Sequence, residues 1–149
     1  MRHIALIAFV LATITVACAQ EPDLSLDLKD KTLPSFSFSG RTPAMVFEVL
    51  EVPRTGPLSE IDPWKFKGEA IWKLTISHPL KGADWPSVTY GAVPHGFSQN
   101  VPEQGPPPKL VEGKLYVAQI LGDKDAKTGF FFEVRNNKIV NVTDKVFGP

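Results

Sequence analysis

His78 and His95 are the only histidines beyond the first few residues of the chain. With Asp62 and Asp84 they supply the residue types from which a metal site or an acid/base pair could be built. Zinc sites gather their ligands at short, clustered spacings backed by a second layer of hydrogen bonds. Here 17 positions and three prolines separate the two imidazoles, and no helical period aligns them. There is also no Gly-x-Ser-x-Gly elbow to expose a nucleophilic serine. They read as surface histidines beside proline turns. The expectation is a protein with no catalytic residue, no metal and no cofactor.

A binding role draws on other residues. Trp64, Trp85, Tyr90, His95 and Phe97 fall in or beside two proline-rich connections. Aromatic rings in that setting stack on sugar rings or accept proline-rich peptides. Aromatic residues with prolines are equally how a loop seals a small core, and both readings stand. Pro106-Pro107-Pro108 prefers an extended form and reads as a stiff spacer.

The overall balance narrows the partners. Across 149 residues, 16 Lys and Arg face 16 Asp and Glu, and neither sign forms a run, so the basic face that attracts nucleic acid is missing. With 43% hydrophobic residues, the chain suits one domain that buries roughly two-thirds of its unfolded surface.

Met1 to Ala17 carries Arg2 and His3, then an uncharged apolar run. Once its threonines and alanines are discounted, the run is about half the ~20 residues a spanning helix needs, as in a cleaved export signal. Cys18 is the single cysteine, so no internal disulfide can form. Thr15-Val16-Ala17-Cys18 resembles the lipobox of bacterial lipoproteins, with Thr15 where leucine is commoner. That resemblance implies cleavage after Ala17 and acylation of Cys18, which holds the chain to a membrane surface without spanning it. An aspartate after the cysteine marks inner-membrane retention in that family. Ala19 stands there instead, which implies an outer-membrane destination facing the periplasm. Ala17-Cys18-Ala19 is also an A-x-A site, and cleavage there releases a soluble protein beginning at Gln20.

The elements that must carry these residues are strands. Residues 18–32 form a polar tether in which Leu24, Leu26 and Leu28 alternate, so a short edge strand competes. Phe36 and Phe38 mark a strand over 33–40, and 44–52 is another, ended by Pro53. In 69–77, Ala70, Trp72, Leu74 and Ile76 share one face, which makes Trp72 the first choice for the core centre. A short strand at 88–90 precedes residues 91–113, where five prolines argue against a ladder. Residues 115–121 read as a strand buried on both faces. Two strands around Asn136-Asn137 read as a tight hairpin, since asparagine tolerates positive φ. Asn141-Val142-Thr143 is a glycosylation sequon that matters only in a eukaryotic source.

Leu110, Gly113, Tyr116 and Ala118 resemble the fibronectin type III pattern that opens the strand before the last hairpin, although Glu112 and Lys114 replace its usual proline and threonine. The resemblance spans 11 residues and implies a tyrosine whose hydroxyl reaches back to an upstream carbonyl. Gly113 and Tyr116 are then structural.

The expectation is an all-β chain: signal peptide 1–17, tether 18–32 and a single antiparallel β-sandwich over 33–149, fibronectin type III-like or immunoglobulin-like. Its expected role is non-catalytic, as an envelope module anchored to the membrane through Cys18, with an envelope protein or a carbohydrate as ligand. The alternative is a small secreted enzyme or metal-binding protein using His78, His95 and Asp84.

Overall fold

Apolar and polar residues alternate along most of this chain, and the strands follow that alternation. The structure, a computed structural model, describes residues 25–30, 34–54, 56–57, 68–122 and 127–142. The expected signal peptide, Cys18, Asp62 and Trp64 lie outside them. Nine strands are described: β1 (Ser25–Asp30), β2 (Ser35–Ser39), β3 (Pro43–Val52), β4 (Glu69–Lys81), β5 (Val88–Thr89), β6 (Phe97–Val101), β7 (Leu115–Gly122), β8 (Lys127–Arg135) and β9 (Lys138–Asn141). A single 3-10 turn, Gly82–Asp84, is the only helical element among the described residues.

The strands form two antiparallel sheets. The smaller has the order β1-β2-β5, the larger β6-β4-β3-β7-β8-β9. Three boundaries differ from the sequence reading. Residues 25–30, placed in the tether, are a strand that pairs Leu28 with Phe36, the competing assignment that the leucine alternation allowed. Strand β4 continues through His78-Pro79 to Lys81. Proline is tolerated there because the β3 ladder jumps from Val46↔Thr75 to Ala44↔Leu80, so Pro79 falls in a bulge that asks no N–H of it. The third difference is β6, inside the segment whose prolines argued against any ladder. Pro94 and Pro102 flank it, none lies within it, and it pairs along Lys73–Ile76 of β4.

Burial explains why the two sheets face each other. Phe36 of β2 is fully buried, with its ring 5.0 Å from Phe47 and 6.3 Å from both Phe130 and Phe132. It therefore joins the small sheet to the middle of the large one. Trp72 is fully buried, as expected, and stands edge-on to Phe47 at 5.8 Å. Offset and edge-on rings of this kind add about 0.5–1.5 kcal/mol per pair beyond their buried area.

Strand β7 is buried on both faces, from Leu115 to Ile120. Tyr116, Ala118 and Ile120 join the inter-sheet core, while Leu115 and Val117 meet Leu50, Val52 and Phe131 in a second cluster. Three polar residues are buried in the strands beside that cluster. Glu48 accepts from Gln119 Nε2 and lies 3.9 Å from Lys73 Nζ. Glu133 Oε2 takes both Nε and Nη2 of Arg135, at 2.9 and 2.8 Å, and Arg54 Nη1 stands 3.0 Å from Oε1 as an ion pair off hydrogen-bond geometry. Charges this buried need such partners.

The β8–β9 hairpin turns on Asn136 and Asn137, with φ of 53° and 57°, the pair of left-handed residues that a two-residue turn requires. Gly129 on β8 shows how tightly β7 and β8 pack. A Cβ there would come within 2.9 Å of Gln119 Cβ and closer still to the Ala118 carbonyl oxygen. Gly129→Ala is accordingly expected to lower the unfolding free energy by about 2 kcal/mol, seen as a lower urea midpoint. An unchanged midpoint would mean that the two strands have room to spare.

Candidate ligand groove beneath the proline-rich loop

The loop from Gly91 to Gly113 is held by side chains from the strands around it. Gln99 of β6 accepts from Trp72 Nε1 at 3.0 Å and donates from Nε2 to the carbonyls of Pro102 and Gly105, both at 2.8 Å. One amide thus ties the turn at 102–105 to the core tryptophan. Tyr90 Oη donates to the Pro108 carbonyl at 2.8 Å, and its ring stands edge-on to Trp72 at 5.1 Å. Pro107, between these two latches, is buried.

At the far end of the loop, Gly113 takes φ of 77°, a conformation that glycine adopts without the Cβ penalty. Tyr116 reaches back as the sequence suggests, but with the opposite polarity. The Val111 N–H donates to Tyr116 Oη at 2.9 Å, so the phenol accepts from a backbone amide in this bond. Gly113 N–H donates to the Val134 carbonyl at 3.0 Å, beside a parallel bridge of Glu112 with Val134. The Glu112 carboxylate accepts from the N–H groups of Asn136 and Asn137, at 2.8 and 3.5 Å. The residue that departs from the fibronectin pattern therefore caps the hairpin turn and fastens the loop to it.

Between loop and hairpin lies an open groove of about 470 Å³. Its apolar lining comes from Pro34, Tyr90, Pro106, Pro107, Leu110 and Ile139. Lys109 and Asn137 add an ammonium and an amide. A surface of this make-up can bury apolar side chains and offer a few polar contacts at its margin.

The residues singled out from sequence do not share one surface. Trp85 is 5% exposed, with its ring 5.1 Å from Phe38 and 4.9 Å from Phe97, and its indole N–H donates to the Leu80 carbonyl at 3.3 Å. Trp85 and the half-buried Phe97 therefore help close the core. Of the four that fall among the described residues, only Tyr90 lines the groove. His95 is exposed in the turn before β6, and His78 and Asp84 are exposed too. The β4–β6 ladder ends at Ile76↔Phe97, two residues short of each histidine, so both leave the same end of that sheet edge. Among the described residues, no three His, Cys, Asp or Glu side chains stand close enough together to hold a metal ion. Leu110, Ile139 and Lys109 were not named as ligand contacts from sequence, and only the proline content of the loop hinted at them.

No family model matches the chain, and no curated protein or solved structure is similar to it.

Both tyrosines of the chain sit in these latches. Burial raises the pKa of each above the ordinary 10.0, and for Tyr116 the Val111 N–H works against that rise. A folded-state pKa above the unfolded value contributes stability that is complete below pH 10.0. That stability is lost as the pH rises further. Phenolate absorbance is therefore expected to stay flat through the ordinary tyrosine range and to rise together with loss of near-ultraviolet circular dichroism. A separate titration of the folded protein near pH 10.0 would show that the phenols are open to water. Tyr116→Phe, which leaves the Val111 amide unpaired, is expected to cost about 1–2 kcal/mol and to speed hydrogen exchange at Val111.

Proposed function

We propose that this chain is an exported, lipid-anchored module of a bacterial envelope, acylated at Cys18 and binding a ligand in the groove without performing chemistry on it. Its body is then a fibronectin type III-like or immunoglobulin-like sandwich. The tyrosine hook between Val111 and Tyr116 supports that assignment. The division into one sheet of six strands and one of three supports a two-layer body of that kind.

The observation that carries the binding reading is the groove itself, with a tyrosine, prolines and aliphatic side chains along its length and polar groups at its margin. Its ligand is an extended peptide segment of an envelope protein. Aromatic-lined grooves recognise such segments because an extended, proline-containing chain loses little entropy on binding. A sugar would need an open ring face to stack on. Trp85 is enclosed by Phe38 and Phe97, and Tyr90 is packed on Trp72, which favours the peptide over the carbohydrate. The membrane side of the reading rests on the lipobox-like Thr15-Val16-Ala17-Cys18, with an outer-membrane address from Ala19.

Two measurements test the two halves. Mass spectrometry of the protein from its native host is expected to find an N-terminal Cys18 carrying acyl groups. A soluble product beginning at Gln20 would replace the anchored form with a secreted one. Screening proline-containing peptides against the mature chain is expected to yield binders that Lys109→Glu together with Pro106→Glu, both at exposed positions of the groove, weakens by about tenfold or more, equivalent to about 1.4 kcal/mol. Binders indifferent to both changes would move the site elsewhere.

A further inference from the structure

We propose, resting on acylation of Cys18, that the domain stands end-on to the bilayer. The turns around Gly40–Thr42 and Gly82–Asp84 then face the lipid, and the groove faces away from it. The occupant of the turn end is thus the membrane surface that holds the anchor.

The argument starts from register. Strand β1 begins at Ser25, which pairs with Ser39, and ends at Asp30, which pairs with Ser35. The start of β1 is therefore beside Gly40, whose carbonyl accepts from the Ala83 N–H at 3.0 Å. That hydrogen bond joins the two turns into one surface, where Arg41, Lys81, Ala83 and Asp84 are exposed. The other end of β2 is at Pro34, which lines the groove. Strand β8 has the same polarity: it starts at Lys127, whose partner Leu121 is near the end of β7, and finishes at Arg135, next to the Asn136-Asn137 turn above the groove. Its nine residues put about 27 Å between the two ends of the domain.

The leash is short by comparison. Only the six residues 19–24 separate Cys18 from Ser25. Seven Cα–Cα steps span at most ~25 Å. The anchored end of the domain therefore spends its time near the surface. Turning the groove toward the lipid asks the leash to span the domain's height of about 27 Å, more than its ~25 Å limit.

Full-length protein, acylated and reconstituted into vesicles containing lipids with a nitroxide on the headgroup, provides the test. A fluorophore is attached at Ala83→Cys in one variant and at Lys109→Cys in another, both exposed positions. The Ala83 probe is expected to be quenched several-fold more than the Lys109 probe. Inserting about 20 Gly and Ser residues after Gln20 raises the leash's root-mean-square extension to about 28 Å and is expected to erase the difference. Mass spectra of the same samples separate the two failures. An unmodified Cys18 overturns anchor and orientation together. An acylated Cys18 with equal quenching at both sites, or with the order reversed, overturns the orientation alone.

Discussion

Prolines keep most of the 91–113 segment out of any ladder, so its amides and carbonyls must find partners that are not neighbouring strands. Side chains of the surrounding strands and turns meet that requirement. Gln99 holds the carbonyls of Pro102 and Gly105, Tyr90 holds Pro108, Tyr116 takes the Val111 amide, and Glu112 reaches across to the hairpin. Three of these residues also belong to the sheets or touch the core, since Gln99 and Tyr90 both meet Trp72 and Tyr116 stacks on Phe132 at 5.4 Å. The loop and the core are consequently one structure. Loosening the aromatic packing frees the loop's carbonyls, and losing a latch strips partners from the loop's amides and carbonyls.

The same coupling settles what the aromatic residues of the loops do. An indole beside prolines can lie open as a platform or be folded inward as a plug, and sequence treats the two alike. Trp85 is a plug: its N–H is spent on the Leu80 carbonyl and its ring is flanked by Phe38 and Phe97. The core between the three-stranded and six-stranded sheets is closed in part by loop residues. Trp85, Tyr90 and Phe97 all pack against that core. Their hydrophobic area stabilises more when removed from water there than when displayed, at about 25 cal/mol per Å².

The elements legible in the sequence were those set by local chemistry. Asn136-Asn137 fixes its own turn, Ala70 to Ile76 shows its buried face by alternation, and the run 115–121, apolar but for Gln119, reads as a strand covered on both faces. Elements that depend on a distant partner were harder to see. Phe97–Val101 is a strand because Lys73–Ile76 offers an edge, and nothing in its own composition outweighs the prolines on either side. Glu112 looked like a departure from a pattern, because its role comes from turn amides 24 and 25 residues later in the chain. The tyrosine hook was legible in position but not in polarity, since a hydroxyl can donate or accept and only the placement of Val111 decides. Leu110 and Ile139 meet in the groove for the same reason, brought together by the bridge between Glu112 and Val134.

Under the proposed binding role, latching the loop also determines what kind of surface the groove can be. A long flexible loop that orders around its ligand pays for that ordering in affinity. Here Pro107 is buried, Gly91 lies with Pro107 against it, and Glu112 ties the loop to the hairpin that forms the opposite wall. Both walls are in place before a ligand arrives, and prolines at 106 and 107 restrict what backbone freedom remains. A preformed groove with rigid walls discriminates by shape, because it cannot relax around a side chain that does not fit. The prolines that excluded the segment from the sheet are thus the same residues that make it a stiff, selective wall.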